Sequence, residues 1–451
     1  MNLIIKDKTF YQQVFSIMIP VSLQGLITVG VSLSDTMMLG SLGEITLSAA
    51  ALANQFAFIF LICNYGLGGG AGVLSGQFFG KKDMTSIKRM LTILLFASIL
   101  FALLFASIAL FFPTVVMNVY STEADVIAQG ASYLRILAIG FIFQGITVTT
   151  STLLRTVRAV KVPMYAALVA FFLNVILNYI LIFGKFGAPT LGIQGAAIAT
   201  TCARIVEFTI ILIYVFKLDK IIMYRVKDLF KFDQAIFKQY LKIGSPVLIS
   251  DLILAIGLSM VSVVLGRMGS DVVAANSIAA VVLQFMNIFQ MGISNASGVM
   301  TGNTIGANES DKAFRQGVTF LLLATILGLI SSTVIFSIKA FVIDFYNITP
   351  QTKLIALQLM NATAIYVVFS TPGTILTKGV LRAGGDTKFL MIADVLFLWL
   401  VSVPFGFITG VILGWPPFFV LLILKSDEFL KTIWCTYRLF SKKWIKNIHT
   451  N

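Results

Sequence analysis

Asp35 is a lone carboxylate inside a long apolar stretch. Residues 14–39 carry no other charge, and the stretch is long enough to cross the ~30 Å hydrocarbon core of a membrane. Because a charge at that depth is costly, Asp35 is expected to face a cavity and to have partners. It is predicted either to bind a cation or a proton, or to serve as a hydrogen-bonded contact between helices.

Asn174 and Asn178 are the neutral residues that could work with such an acid. They lie four residues apart, which places them on one face of a helix, one turn from each other. Their amide groups suit a hard monovalent cation or a carboxyl group that takes up a proton. Taken alone, such residues are more often hydrogen-bonding partners between helices.

The composition shows what kind of protein must position these residues. Of the 451 residues, 58% are hydrophobic and only 12% are charged, and the mean hydropathy is +0.95. These values are typical of an integral membrane protein. The first apolar run is longer than the core of a signal peptide and lacks a cleavage site, so it is predicted to be a retained helix.

Cysteine and histidine usage argues against several kinds of site. Cys63, Cys202 and Cys435 lie within apolar runs, which supports neither a disulfide framework nor a thiolate metal cluster. The single histidine, His449, is near the C-terminus, which excludes zinc sites and catalytic triads that need an internal imidazole. An enzyme is therefore not expected.

Twelve apolar runs of about 20 residues or more predict the fold. They occupy residues 14–39, 50–76, 90–113, 127–153, 163–184, 192–216, 240–266, 274–302, 316–338, 352–380, 389–413 and 416–440. The sequence predicts an all-α integral membrane protein with twelve transmembrane helices in two homologous six-helix bundles, 1–216 and 240–451. The charged, amphipathic stretch 217–239 between them is predicted to be a cytoplasmic linker at the membrane surface.

The positive charges predict the orientation. Of 33 Lys and Arg residues, 26 lie on the side of the N-terminus, four lie in the opposite loops and three lie within helices. This asymmetry places both termini in the cytoplasm. The net charge of +14 is accordingly interpreted as a topology signal, with the lipid bilayer rather than nucleic acid as the partner.

An internal repeat relates the two halves. A shift of 226 residues aligns 19–43 with 245–269 without a gap, and the register continues to the end of the second apolar run. The matched pairs include Pro20 with Pro246, Gly40 with Gly266, Gly43 with Gly269 and Gly80 with Gly306. Two bundles of the same orientation are predicted, with a substrate cleft between them.

Several segments carry a resemblance to a known family. They are Pro20 followed by Asp35 and LGSLG, GLGGGAGVLSGQFFGKKD (66–83), NVILNYILIFG (174–184), LGIQGAAIAT (191–200) and LRAGGDTK (381–388). In this order, and with the duplication, the chain resembles the multidrug and toxic compound extrusion (MATE) family over essentially its whole length. The superfamily also contains lipid-linked oligosaccharide flippases.

The resemblance implies a coupling site in the N-terminal half. Asp35, Asn174 and Asn178 would converge there with Thr200 of the sixth transmembrane helix and hold H⁺ or Na⁺. In some relatives the position of Asn178 resembles an aspartate, so this chain has one negative charge fewer and the coupling ion stays open. No metal beyond Na⁺ at these four residues, and no cofactor, is expected.

Pro20 is predicted to act as a hinge in the first helix. Proline removes one backbone hydrogen bond and allows a helix to bend. The resemblance implies that protonation or cation binding at Asp35 biases that bend. On the residues alone, a static kink is an equal alternative.

Asp251 and Asp394 form a candidate second site in the C-terminal half. Asp251 could be a further coupling or substrate-binding carboxylate, and Asp394 could be a cavity acid or a satisfied polar contact. Two structural ion pairs with i,i+3 spacing are also predicted. They are Arg204 with Glu207, and Lys425 with Glu428.

No motif for an ATP-driven motor is present. LRAGGDTK lacks the GxxxxGK[ST] spacing and is predicted to be a loop with topology-determining charges. The predicted function is therefore a monomeric, secondary-active multidrug antiporter of the cell membrane, which exports amphipathic, cationic small molecules in exchange for H⁺ or Na⁺. The alternative is a lipid-linked oligosaccharide flippase, which would need a cavity rich in Arg and Lys.

Overall fold

The computed structural model describes residues 3–346 and 348–446, which form helices and no β-strand; His449 lies outside the described residues. The helices before the linker are α1 (Lys8–Gly40), α2 (Glu44–Gly80), α3 (Met84–Phe111), α4 (Pro113–Tyr120), α5 (Ala124–Thr156), α6 (Lys161–Phe183) and α7 (Ile193–Ile213). The later helices are α8 (Gln234–Arg267), α9 (Ser270–Gly306), α10 (Ser310–Asp344), α11 (Pro350–Ala383), α12 (Thr387–Ile412), α13 (Pro417–Leu424) and α14 (Ser426–Phe440).

The helices correspond to the twelve predicted runs. Among the described residues, eleven helices are long and apolar enough to cross a membrane; they are α1–α12 without the short α4. The twelfth run, 416–440, is broken at Lys425, where α13 ends and α14 begins. The predicted fold class, an all-α membrane protein, is confirmed, with this break as a local departure from one continuous last helix.

Short π-helical turns interrupt the regular geometry of three helices. One extends α7 at Tyr214–Leu218, one lies in α11 at Leu376–Val380, and two lie in α12 at Leu398–Ser402 and Ile408–Ile412. Such turns insert a residue into the helix and are frequent at functional sites. The turns at Leu376–Val380 and Leu398–Ser402 both contribute side chains to a cavity in the C-terminal unit.

The chain forms two compact units. The N-terminal unit contains Leu23–Ser75 and Asp83–Leu241, and the C-terminal unit contains the described residues up to Ser22, Gly76–Lys82 and those from Lys242 onward. The units therefore cross the predicted boundaries of the bundles, since the start of α1 and the end of α2 pack with the second half of the chain.

Aromatic side chains from α2, α3 and α5 fill the core of the N-terminal unit. The rings of Phe60 and Phe141 lie 4.8 Å apart between centroids, and the ring of Phe105 lies 5.3 Å from that of Phe60. All three helices are thereby held together by buried apolar area, and α6 and α7 complete the unit.

The predicted linker packs on α3. The buried Tyr224 hydroxyl lies 2.7 Å from Thr92 Oγ1, and the Thr92 hydroxyl also lies 2.9 Å from the carbonyl oxygen of Asp228. Burial of the Asp228 carboxylate opposes its ionisation, but the Arg225 backbone N–H and the Lys231 ammonium hold the pKa of Asp228 below its usual range. The linker is thus a folded segment fixed to one helix.

Within the C-terminal unit, the ends of α2 and α9 cross with direct backbone contact. A Cβ atom on Gly80 would lie 1.9 Å from the carbonyl oxygen of Asn303, and a Cβ atom on Gly306 would lie 2.0 Å from that of Gln77. Gly80 and Gly306 are equivalent positions of the repeat. The crossing therefore joins two matched segments, and only glycine allows this close approach.

Candidate ion-coupling site

Three helices of the N-terminal unit bring Asp35, Asn174, Asn178 and Thr200 together. Asn178 Nδ2 on α6 donates to Asp35 Oδ1 on α1 at 2.5 Å and to Asn174 Oδ1 at 3.1 Å. Asn174 Nδ2 in turn donates to Thr200 Oγ1 on α7 at 3.3 Å. The four side chains form one continuous series of hydrogen bonds, while their role in ion coupling stays a prediction.

Glycines allow these helices to approach each other. A Cβ atom on Gly30 of α1 would lie 3.4 Å from the ring of Phe171 on α6. A Cβ atom on Gly195 of α7 would lie 2.6 Å from the carbonyl oxygen of Leu181 on α6. Small residues at helix crossings shorten the distance between backbones, so side chains of α1 and α7 both reach the asparagines of α6.

The side chain that donates a hydrogen bond to Asp35 is the neutral amide of Asn178. Asn174 and Asn178 are 1% and 0% exposed, whereas Asp35 is half-buried. Among the residues that the structure describes, no Lys or Arg nitrogen forms a salt bridge with Asp35. Arg204, one turn beyond Thr200, instead pairs with Glu207 at 3.0 Å, as the sequence predicted.

This arrangement has the donor set for a small cation or a proton. Asn178 Oδ1 is buried and accepts no hydrogen bond within the described part of the chain. Rotation of the amide about χ2 exchanges its oxygen and nitrogen, so Asn178 can donate to a carboxylate or present an oxygen to a cation. A carboxylate on a helix that can cross a membrane, without a cationic partner, favours uptake of one positive charge.

Pro20 lies inside α1, which continues through it to Gly40. The proline ring is buried, and its nitrogen cannot donate to the carbonyl oxygen one turn earlier. Ser22, two residues later, is the last residue of α1 that belongs to the C-terminal unit. These facts place a weakened turn of the helix next to a boundary between compact units, while the hinge role stays a prediction.

Asp251 in the C-terminal unit is paired with a basic side chain. Arg382 Nη2 lies 3.1 Å from Asp251 Oδ1, and Arg382 Nη1 lies 3.4 Å from Oδ2. Both side chains are 12% exposed, and the two-point geometry is the strong form of this ion pair. Whether Asp251 also takes part in coupling stays a prediction.

Asp394 belongs to a buried cluster around Lys431. The Ser250 hydroxyl donates to Asp394 Oδ2 at 2.5 Å. Lys431 Nζ lies 3.3 Å from Asp394 Oδ1, 3.6 Å from Glu428 Oε1 and 3.8 Å from Asp427 Oδ2. Lys431 is 4% exposed, so one buried ammonium is shared by three carboxylates.

Sequence reasoning missed the role of Lys431. It counted Lys431 among the charges at the cytoplasmic surface and paired Glu428 with Lys425. The pairing was wrong, because α13 ends at Leu424 and the helical face of α14 starts after Lys425. The spacing of Asp427 and Glu428 from Lys431, i,i+4 and i,i+3, was a signal that could have identified this cluster.

The motif LRAGGDTK is more than a charged loop. Its Arg382 binds Asp251, and its Asp386 is 1% exposed. Arg438 Nε and Lys446 Nζ lie 2.6 Å and 2.5 Å from the two carboxylate oxygens of Asp386. The prediction of a loop with topology-determining charges stays a prediction, and the motif also fixes the C-terminal segment to the end of α11.

Comparison with known proteins supports the family resemblance found in the sequence. The family model MatE matches residues 20–180 and 246–408, which together make up most of the chain and both halves of the repeat. The probable multidrug resistance protein YoeA of Bacillus subtilis is 25% identical over 401 residues, 86% of each chain. The probable multidrug resistance protein NorM of Agrobacterium fabrum is 24% identical over 397 residues, 85% of each chain.

A solved structure has the same fold. It is described as the outward-facing conformation of a multidrug resistance MATE family transporter of the MOP superfamily. The two structures superpose with a TM-score of 0.87 over 96% of both chains, at 19% sequence identity. At this identity the similarity shows the shared architecture.

Proposed function

Since the chain belongs to the MatE family of membrane transporters, we propose that it is a secondary-active exporter of amphipathic, cationic compounds in exchange for H⁺ or Na⁺. The observation that supports this proposal is the Asp35 carboxylate, which lies on a helix long and apolar enough to cross a membrane and is bonded to the neutral amide of Asn178. Such an acid has one negative charge to offer to an external cation.

Competition for that charge would couple the two fluxes. A proton or Na⁺ at Asp35 cancels the charge that attracts a cationic compound, and a bound compound disfavours the ion by the same free energy. Each ligand would therefore leave before the other binds. Asn174, Asn178 and Thr200 would shape the site by offering amide and hydroxyl oxygens to the ion.

Pro20 would transmit the change in charge. It lies about four turns before Asp35 on α1, and the missing hydrogen bond lowers the cost of bending there. Uptake of a positive charge at Asp35 changes its hydrogen bonds to α6, which would shift α1 between two shapes.

The direction of transport follows from the orientation that we propose. The excess of Lys and Arg on the side of the N-terminus would place both termini in the cytoplasm of a cell with this protein in its cell membrane. Inward flow of H⁺ or Na⁺ would then drive outward flow of the compound. A monomer would suffice, since the proposed coupling site lies within one unit of one chain.

The flippase alternative asks for buried basic residues that can hold a diphosphate. Two buried basic side chains were not anticipated, Lys431 and Arg155. Lys431 is surrounded by carboxylates, and Arg155 Nη2 donates to Gln24 Oε1 at 2.7 Å. Because both already have partners, the exporter is the function that the geometry favours.

The test is gradient-driven transport in proteoliposomes. Wild type and Asp35→Asn would be compared for transport of a fluorescent amphipathic cation under an imposed pH gradient and, separately, an imposed Na⁺ gradient. We expect one of the two gradients to drive transport by wild type. Under that gradient, Asp35→Asn should transport at least about tenfold more slowly, because the amide offers no charge to the ion. The effective gradient identifies the ion.

Asp344→Asn is the matched control. Its carboxylate is 71% exposed and pairs with Lys353 at the surface, so transport should be unchanged. Full gradient-driven transport by Asp35→Asn would overturn the proposed role of Asp35, and Asp35 would then be a structural contact.

A further inference from the structure

The helix α1 is fastened on both sides of the point where it passes from one compact unit to the other. Ser22 is its last residue in the C-terminal unit, and Leu23 is its first residue in the N-terminal unit. Pro20 lies just before this point. Because a helix lacks a backbone hydrogen bond at a proline, the contacts nearest to Pro20 determine whether α1 keeps its shape.

Within the C-terminal unit, α1 packs directly on α9. The Ser22 hydroxyl lies 3.4 Å from the carbonyl oxygen of Ile288. A Cβ atom on Gly292 would lie 2.2 Å from Ser22 Oγ and 3.0 Å from the carbonyl oxygen of Met18. Only glycine allows this close approach, so the first part of α1 is held by packing on α9.

Within the N-terminal unit, a buried arginine binds α1 close to the proline. Arg155 Nη2 donates to Gln24 Oε1 at 2.7 Å, and Gln24 lies about one helical turn after Pro20. Arg155 is 8% exposed and belongs to the last turn of α5. The end of α5 packs closely on α2, since a Cβ atom on Gly68 would lie 3.0 Å from the side chain of Thr152. The guanidinium is therefore presented to α1 from a rigid support.

The C-terminal unit contains the matching contact with a different chemistry. A shift of 227 residues pairs Arg155 with Arg382, and the contacts of the two arginines with Gln24 and Asp251 both span 131 positions. In the register of the first helix, Gln24 lies one position before the residue that aligns with Asp251. The repeat thus places an arginine against the same turn of α1 and of α8, with an amide as its partner in one unit and a carboxylate in the other.

The two contacts differ in strength. Arg382 reaches both carboxylate oxygens of Asp251, at 3.1 Å and 3.4 Å, and both partners are charged. The Gln24 side chain is neutral and accepts one hydrogen bond from Arg155. Since two-point ion pairs are the strong form and a bond to a neutral acceptor is weaker, α1 separates from its arginine more easily than α8 does.

We propose that the hydrogen bond between Arg155 and Gln24 is a releasable clasp on α1, and that Arg155 is a positioning residue of transport. With the bond formed, α1 keeps the shape of this structure and continues through Pro20. With the bond broken, the segment after Ser22 bends at Pro20. This inference rests on the proposed exporter and adds to it the contact that must open when the charge at Asp35 changes.

The place of the clasp accounts for its neutral acceptor. Gln24 lies between Pro20 and Asp35, about three turns before Asp35. A carboxylate at position 24 would fasten α1 permanently and would add a second negative charge to the helix that carries the coupling acid. With an amide there, the ion at Asp35 determines the shape of α1.

Strengthening the clasp tests the proposal. Gln24→Glu keeps the size of the side chain and gives Arg155 a charged partner. In the proteoliposome assay, the maximal rate of transport should fall about tenfold. The half-saturating concentration of the fluorescent cation should stay within about twofold, because Gln24 does not bind the compound. A contact with only a structural role would be strengthened without any loss of rate.

Hydrogen–deuterium exchange of the purified full chain in detergent measures the opening of α1 independently of transport. Backbone amides of residues 21–28 should exchange about tenfold more slowly in Gln24→Glu and about tenfold faster in Gln24→Met, which has no amide oxygen. Gln12→Glu is the matched control, since it makes the same change at an exposed position of α1 and should alter neither exchange nor rate. Wild-type exchange in α10 shows that each variant is folded.

The outcomes separate the clasp from the proposed function. Unchanged exchange of residues 21–28 in both Gln24 variants, or full transport by Gln24→Glu, would overturn the clasp. Altered exchange in a protein without gradient-driven transport would retain the control of α1 by Arg155 and reject the exporter. Asp35-dependent transport with unchanged exchange would retain the exporter and reject the clasp.

Discussion

The two compact units both contain carboxylates on membrane-spanning helices, but they neutralise them in different ways. In the N-terminal unit, Asp35 is bonded to the neutral amide of Asn178. In the C-terminal unit, Asp251 is paired with Arg382, and three further acids surround Lys431. The repeat thus preserves the arrangement of helices but not the arrangement of charge.

This difference separates two uses of a buried acid. An acid that is paired with a Lys or Arg side chain contributes to the stability of its own unit, since removing either partner leaves an uncompensated charge. An acid with neutral partners only can accept a mobile ion. We therefore expect substitutions around Lys431 to act mainly on stability, and substitution of Asp35 to act mainly on transport.

The largest expected effect is that of Lys431→Met. Without the ammonium, three carboxylates would face each other in a buried site, and we expect the free energy of unfolding to fall by about 3–5 kcal/mol. Unfolding of the purified protein by a denaturing detergent, followed by intrinsic tryptophan fluorescence, measures the change. Lys431→Arg, which retains the charge, should lose much less, and equal stability of Lys431→Met and wild type would contradict the role of the cluster.

A smaller effect is expected for the pair of Asp251 and Arg382. Each side chain is 12% exposed, so solvent compensates part of the charge that is left when one partner is removed. Asp251→Asn should lower the free energy of unfolding by about 1–3 kcal/mol. A double-mutant cycle with Arg382→Met should give a coupling of about 0.5–3 kcal/mol, and additive effects of the two substitutions would show that the contact contributes nothing.

The smallest effect on stability is expected for Asp35→Asn. The asparagine can keep a hydrogen bond to Asn178, and no cationic partner is left behind, so the free energy of unfolding should change by less than about 1 kcal/mol. The same unfolding assay applies, with Asp344→Asn as the surface control. A loss as large as that of Lys431→Met would mean that Asp35 is a structural acid and that the two units do not differ in the way we infer.

Most of the fold could be predicted from the sequence. Apolar runs of sufficient length must become helices in a membrane, because a helix forms all its backbone hydrogen bonds within the segment. The break at Lys425 was not visible, since residues 416–440 are apolar enough to be read as one helix. The contact of Gly80 and Gly306 with the opposite helix was also not predicted, although their equivalence in the repeat was.

The candidate coupling site was predicted in part from the residues and in part from the resemblance. The lone charge of Asp35 and the spacing of Asn174 and Asn178 were readable directly, and Thr200 came from the resemblance alone. The structure brings all four together. Ion specificity was not readable, because one carboxylate with neutral oxygens suits both H⁺ and Na⁺.

The sequence by itself determined that this protein spans a membrane, that it is built from two related halves and that Asp35 is an unusual acid. Only the tertiary structure decided which of the other acids have a tethered cation. Asp251 lies 131 positions before Arg382, and Asp394 meets Lys431 from a different helix. Spacing along one helix shows only the i,i+3 and i,i+4 pairs, whereas electrostatic interaction depends on distance through space.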